Sequence, residues 1–248
     1  MKKLNFLLLA LLLGVMPALQ SCDNNDGYSI GDFGADWATV RTAGGDTYSL
    51  TGDTWGTLWP AATSIPWYKP VDGQRVVVYF NPLSDKFQDY DHAIKVEGIR
   101  EVLTKQVEEM TAENEAEFGN DPIVIYKGNM WISGGYLNLI FCQDLPAKEK
   151  HRISLVHRAS LVDDREDGYF HLELLYNTYG DTTDRWVNGA VSFNLNSLKA
   201  DGMDMKGIKV KLNSLENGKD VEVIFDFKEQ TTPENAKQAT LSEDVKVK

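Results

Sequence analysis

The chain has 248 residues, 42% hydrophobic and 25% charged, with 37 acidic against 25 basic side chains and a formal net charge of −12. A surplus of that sign repels phosphate backbones and anionic headgroups, and no basic stripe relieves it, so nucleic acid is excluded as a partner. Two cysteines, Cys22 and Cys142, are too few for a disulfide framework, so the core must be built from apolar side chains.

Lys2 and Lys3 precede an apolar run, "FLLLALLLGVM" (6–16), that is too short to span a bilayer and has the plan of a secretory signal. Leu19, Gln20 and Ser21 lead straight into Cys22, an order that resembles a bacterial lipobox, in which the cysteine sulfur takes a diacylglycerol and becomes the first residue. The acidic stretch "CDNNDG" resembles a tag that sends lipoproteins to the outer face of the outer membrane; a polar spacer is the plainer reading. The expected anchor is therefore acyl chains on Cys22, each methylene contributing about 0.8 kcal/mol of membrane affinity. Residues 1–21 form the leader and 22–29 an acidic tether. Without the leader, 23 basic and 37 acidic side chains remain. Lipidation of Cys22 leaves Cys142 unpaired, and its apolar context, "YLNLIFC", reads as a buried thiol.

From residue 30 the chain alternates short strands with Gly, Asp and Pro: "WATVRTA" (37–43), the segment 44–60, "QRVVVYFNPL" (74–83) and "YDHAIKV" (90–96). Four or five strands in seventy residues suit a small barrel. Ile99, Val102, Leu103, Gln106, Val107 and Met110 fall at helical spacing and predict a helix, followed by an acidic linker to a boundary near 118. Seven strand candidates follow, at 122–126, 135–142, 151–158, 168–176, 189–196, 207–213 and 220–227. Strict alternation such as Val191, Phe193 and Leu195 predicts an antiparallel β-sandwich over 119–230. The polar tail, 231–248, reads as loose. The expected class is thus all-β: a barrel, a short helix or linker, and a seven-stranded sandwich.

"SCDNNDGYSIGDF", "TLWPAATSIPWYKPVDGQRVVVYF", "IKVEGIREVLTK", "GNDPIVI" and "DGYFHLELLYNTYGD…GAVSFNL" resemble the NigD-like lipoproteins, over nearly the whole chain to about residue 228. The block from Leu58 to Val78 is the most specific. The resemblance implies an N-terminal OB-type barrel and a C-terminal β-sandwich. It implies no catalytic residues, and an immunity role drawn from the bacteriocin gene cluster that gives the family its name.

Templates for chemistry fail. No phosphate-binding loop or nucleophile elbow occurs. The four histidines, His92, His151, His157 and His171, lack metal-site spacing. "DDREDG" (163–168) puts Arg165 where a calcium loop needs an acid. No cofactor is expected. The aromatics are more suggestive: Trp37, Trp55, Trp59, Trp67 and Tyr68 fall within 32 residues. Trp37 and Trp55 are expected to sit in strands and fill the barrel. Trp59, Trp67 and Tyr68 lie in a loop stiffened by Pro60, Pro66 and Pro70, where ligand contact and packing both fit. Trp55, Trp59, Trp67 and Tyr68 are the candidate ligand-binding residues. These features point to a non-catalytic binding module, lipid-anchored and facing the cell exterior, for immunity or for peptide or protein capture. A carbohydrate-binding or adhesive accessory is the alternative, and a hydrolase using unidentified carboxylates a third.

Overall fold

The computed structural model describes residues 27–29, 31–158, 167–198, 204–238 and 247–248. The leader, Cys22, most of the acidic tether and four residues of the acidic tip (163–166) lie outside the described residues. Strands β1 (Gly34–Gly44), β2 (Thr47–Gly52), β3 (Gly56–Thr63), β4 (Arg75–Phe87) and β5 (Tyr90–Glu101) close into a barrel in the order β1-β2-β3-β5-β4. Only β3 and β5 run parallel. Period-two alternation sets the two faces. Ala38, Val40, Leu50, Leu58, Val76, Val78, Phe80, Ile94 and Val96 fill the interior. The intervening Trp37, Val77 and Tyr79 point outward.

Among the described residues the second unit has nine strands. Sheet one joins β6 (Leu103–Gln106), β12 (Trp186–Asn194), β9 (Tyr136–Asp144) and β8 (Met130–Ser133). Sheet two joins β14 (Gly218–Asp226), β13 (Gly207–Ser214), β11 (Tyr169–Asn177), β10 (Arg152–His157) and β7 (Glu108–Glu109). Leu137, Leu139, Phe141, Ile153, Leu155, Phe193 and Val210 are among the side chains that meet between the sheets. Helices are short: α1 (Glu115–Phe118) and α2 (Glu234–Gln238). Among the described residues, no helix is long and apolar enough to cross a membrane.

Several expectations need correction. The helix predicted over Ile99–Met110 is instead extended chain, the end of β5 followed by β6 and β7, because its apolar residues serve four different cores. Ile99 packs on the barrel interior, Val102 on the interface between the units, Leu103 and Val107 on the sandwich, and Met110 against Phe118, Val156 and Leu175. A chain that hops from core to core mimics helical spacing. Sandwich pairing therefore starts at Leu103, not after 118, and β6 and β7 stitch one edge of each sheet. The sandwich is not purely antiparallel: β11 and β13 run parallel, as do the pairs made by β6 and β7. Consecutive strands lie in different sheets there, so spatial neighbours arrive by crossovers. Segment 122–126 makes only isolated bridges. The tail is not loose where it is described: Ala236 is buried in the interface, and Val247 bridges His151 and enters the sandwich core.

The two units share a core. Trp37 and Val77 of the barrel, with Val102 and Ala236, cover Trp131, Ile140 and Ala190 on the outer face of sheet one. Trp37 therefore seals the junction and does not fill the barrel. Its ring meets Trp131 edge-on at 5.0 Å, and its Nε1 donates to the Ala236 carbonyl at 3.0 Å.

Beside this apolar patch lies a buried ion pair. Arg75 and Asp53 expose 0% and 1% of their side chains. The guanidinium donates to both Asp53 oxygens, at 2.9 and 2.6 Å, and to Thr39 Oγ1 and Asn138 Oδ1. Asp53 also accepts from Ser133 at 2.5 Å and Thr232 at 3.0 Å. Desolvating two charges is repaid only when geometry is good and the remaining donors and acceptors are satisfied, as here. Because Asp53 and Arg75 belong to the barrel, Asn138 and Ser133 to the sandwich and Thr232 to the tail, the pair fixes how these parts meet.

Candidate functional site

The four candidate rings do not share one face. Trp55 sits in the turn between β2 and β3. Asp36 Oδ2 accepts from the Thr54 and Trp55 amides, each at 2.9 Å, while Asp91 accepts from the Thr57 amide and hydroxyl. Burial pushes the Asp36 pKa up against those two amides, whereas the Thr57 donors hold the Asp91 pKa below the ordinary carboxylate value. Gly56, at φ +69°, allows the turn. So held, Trp55 packs edge-on against Phe80 and His92, both at 5.1 Å, and beside Tyr28. It is half-buried at a barrel end and lies in a turn, not a strand. Trp59, on β3, lies with Phe87 and Tyr90. Neither ring is displayed.

Tyr28 donates to Asp85 at 2.6 Å, and His92 Nδ1 lies 2.8 Å from the same carboxylate. The Asp85 contact raises the Tyr28 hydroxyl to about 12. This pair fastens the end of the acidic tether, at Tyr28, to the barrel end that holds Trp55.

Trp67 is different: 72% of it is exposed. The loop that carries it leaves the barrel after Ser64, whose amide donates to the Val96 carbonyl at 2.8 Å, and is pinned along its length. Ile65 reaches the barrel core. Tyr68 stands edge-on to Tyr48 at 5.5 Å. Gly73 donates to Val40 and accepts from the Tyr136 hydroxyl at 2.9 Å. Between this loop and the end of β5 lies a cleft of about 1000 Å³, whose lining includes Trp67, Tyr68, Gln74, Tyr79, Arg100 and Glu101. Gln74 braces its floor with bonds to the Arg75 and Val102 carbonyls and Thr104 Oγ1. Among the described residues the buried Tyr68 hydroxyl has no hydrogen-bond partner, and burial followed by the Glu101 charge drives its acidity well below that of ordinary phenols. The cleft thus combines a presented indole, mixed charges and an unsatisfied hydroxyl.

Sequence reasoning found Trp67 and Tyr68 but missed Arg100 and Glu101, assigned to a helix. Their signal was hidden by a bulge at Glu97, which breaks the alternation of Ile94 and Val96 and puts Ile99 back on the barrel interior.

Other candidates are absorbed structurally. His151 is buried between the Tyr176 hydroxyl and the Asp181 carbonyl, both at 2.6 Å, and His171 lies 3.1 Å from Asp167. Among the described residues no three His, Cys, Asp or Glu side chains group as metal ligands. The Cys142 thiol lies 3.1 Å from Asn188 Oδ1, and burial raises its pKa, which disfavours the thiolate.

Comparison with known proteins agrees with this architecture. The family model for the NigD-like N-terminal OB domain matches residues 37–102, and that for the NigD-like C-terminal beta sandwich domain matches 106–225. A solved Parabacteroides distasonis protein described as toxin-related is 35% identical, covering 79% of this chain and 94% of its own, with a TM-score of 0.66. A Bacteroides vulgatus protein of unknown function is 26% identical over 88% of this chain and 100% of its own, at 0.69. A NigD-like immunity protein from Bacteroides caccae shares the fold at 17% identity, covering 79% of this chain and 94% of its own, at 0.59. No curated protein matches the chain.

Proposed function

This chain belongs to the NigD-like family, and on that premise we propose that it is a non-catalytic binding lipoprotein that captures a peptide or protein partner, in the manner of an immunity protein. The observation that carries the reading is Trp67. A large ring 72% exposed on a pinned loop, opening onto a cleft, is what a recognition site needs. A loop already ordered adds little entropic cost on binding. The lipid on Cys22 would hold the molecule on the outer face of the outer membrane, where an incoming toxin arrives before its target. The family is not one of known enzymes, and two buried carboxylates of the barrel, Asp36 and Asp53, are engaged in a turn and an ion pair.

Gene deletion tests this. Deletion cells challenged with culture supernatants of related strains are expected to be inhibited by at least one that the parent resists, with resistance restored by the intact gene. Equal survival of parent and deletion across the panel would remove the immunity reading. The exposed indole also suits stacking on a sugar ring, which keeps the carbohydrate-binding reading as the second; a glycan array probed with wild type and Trp67→Ala decides it.

A further inference from the structure

β5 runs on beyond its partner. β3 accompanies it only as far as Val96, beyond which β5 pairs on its other side alone, with β4. Antiparallel rungs alternate, so every second residue turns its amide and carbonyl away from the partner. Val102 donates to the Arg75 carbonyl at 2.9 Å, which places the preceding rungs to β4 at Arg100 and Gly98. The far side of β4 agrees: Val40 donates to Gln74, which assigns Val76 and Val78 to β1 and Val77 and Tyr79 to β5. The amides and carbonyls of Ile99 and Glu101 therefore face away from β4, toward the cleft and the loop bearing Trp67. Among the described residues no strand occupies that edge.

Pro66 and Pro70 have no amide hydrogen, so the loop is ill-suited to pair with this edge itself. What the edge presents is a donor and an acceptor, then another set two residues, about 7 Å, further on, the repeat of an extended chain. We infer that the cleft takes an extended polypeptide segment, which adds to β5 at Gly98–Glu101 as a further strand and lays a side chain on Trp67. This rests on the capture reading and names its ligand class. The mode gives affinity through the main chain and specificity through alternate side chains. Arg100 and Glu101 at the cleft, of opposite charge, suit a segment carrying both signs.

The test selects a phage-displayed library of random twelve-residue peptides against the detergent-solubilised full chain and titrates the best peptide by calorimetry. Glu101→Ala and Glu101→Pro both remove the carboxylate, but only the proline removes the outward amide hydrogen, and proline is tolerated where that hydrogen faces off the sheet. Glu101→Ala, which loses the carboxylate and keeps the amide hydrogen, sets the reference affinity. Glu101→Pro is expected to bind about 3- to 10-fold more weakly than Glu101→Ala, the loss of one hydrogen bond. Trp67→Ala is expected to cost about 30-fold, the loss of an aromatic anchor that the peptide would cover. In wild type, independently of any variant's folding, amide exchange at Ile99 and Glu101 should slow when peptide is bound. Equal affinities for Glu101→Pro and Glu101→Ala with unchanged exchange at both amides would overturn the inference. So would a selection yielding no peptide while a glycan binds in a Trp67-dependent way. Either failure leaves the deletion phenotype untouched, so the capture reading is judged separately.

Discussion

Asp53→Ala should cost more than any exposed charge removal in this chain. Arg75 would keep its bonds to Thr39 and Asn138 but lose both contacts to the carboxylate, while remaining 0% exposed. Ser133 and Thr232 would lose their acceptor as well. Stranding a buried charge in this way costs about 3–5 kcal/mol. At about 2–4 °C per kcal/mol for a chain of this size, the melting temperature should fall by about 6–20 °C. The control is Lys69→Ala, which breaks the Lys69–Asp46 pair, whose side chains are 73% and 70% exposed, and should shift stability by less than about 1 kcal/mol. Because the hub ties barrel, sandwich and tail together, calorimetry of the wild type should give one transition. Asp53→Ala should separate barrel melting from sandwich melting. Double replacement of the pair by Met at 75 and Leu at 53 should recover much of the loss, since no charge is then stranded. If Asp53→Ala melts within 2 °C of wild type, or the wild type already melts in two steps, the hub does not lock the units and the reasoning fails.

Truncation after Gln230 removes the Thr232 bond to Asp53, the buried Ala236 and Val247, and should cost at least about 2 kcal/mol in chemical denaturation; an unchanged midpoint would show the tail to be a passenger. Asp181 accepts from the amides of Glu149, Lys148 and Ala147, in that order of effect, and these hold its pKa below the ordinary 3.8. A depressed carboxylate contributes stability above that value and loses it as pH falls through the folded one. The melting difference between wild type and Asp181→Asn should therefore be full at pH 6 and shrink below 3.8; a difference constant down to pH 2 would refute the assignment. Cells fed labelled palmitate should label the wild-type chain and not Cys22→Ser; label in both would place the anchor elsewhere.

The sequence makes the interior of this fold easy to read and its seams hard. The run from Gln74 to Leu83 announces β4 because β-branched residues crowd a pleated surface, and the alternation of Val191, Phe193 and Leu195 marks one sandwich face. Each is a property of one strand against one core. Residues 99–110 were misread because they serve several cores in turn. β8 escaped notice because its four residues are too few to show a period. The Arg75–Asp53 pair was invisible for a different reason: "GDTWG" looks like a solvated turn, and nothing local says that a second unit will cover it. The same limit applies to the site. Proline punctuation flagged the loop of Trp67 and Tyr68, but its opposite wall is a strand edge, and an unpaired edge is defined by which neighbour stops short, here β3 at Thr63. The clustering of tryptophans in sequence was misleading for Trp55 and Trp59, which the fold uses as packing.

The capture account is tested most directly by depletion. A supernatant that inhibits the deletion strain is passed over immobilised wild type and over immobilised Trp67→Ala, and the flow-through is titrated on deletion cells. The account predicts that wild type strips the inhibitory activity and Trp67→Ala lets most of it through. Undiminished killing after passage over wild type would contradict it.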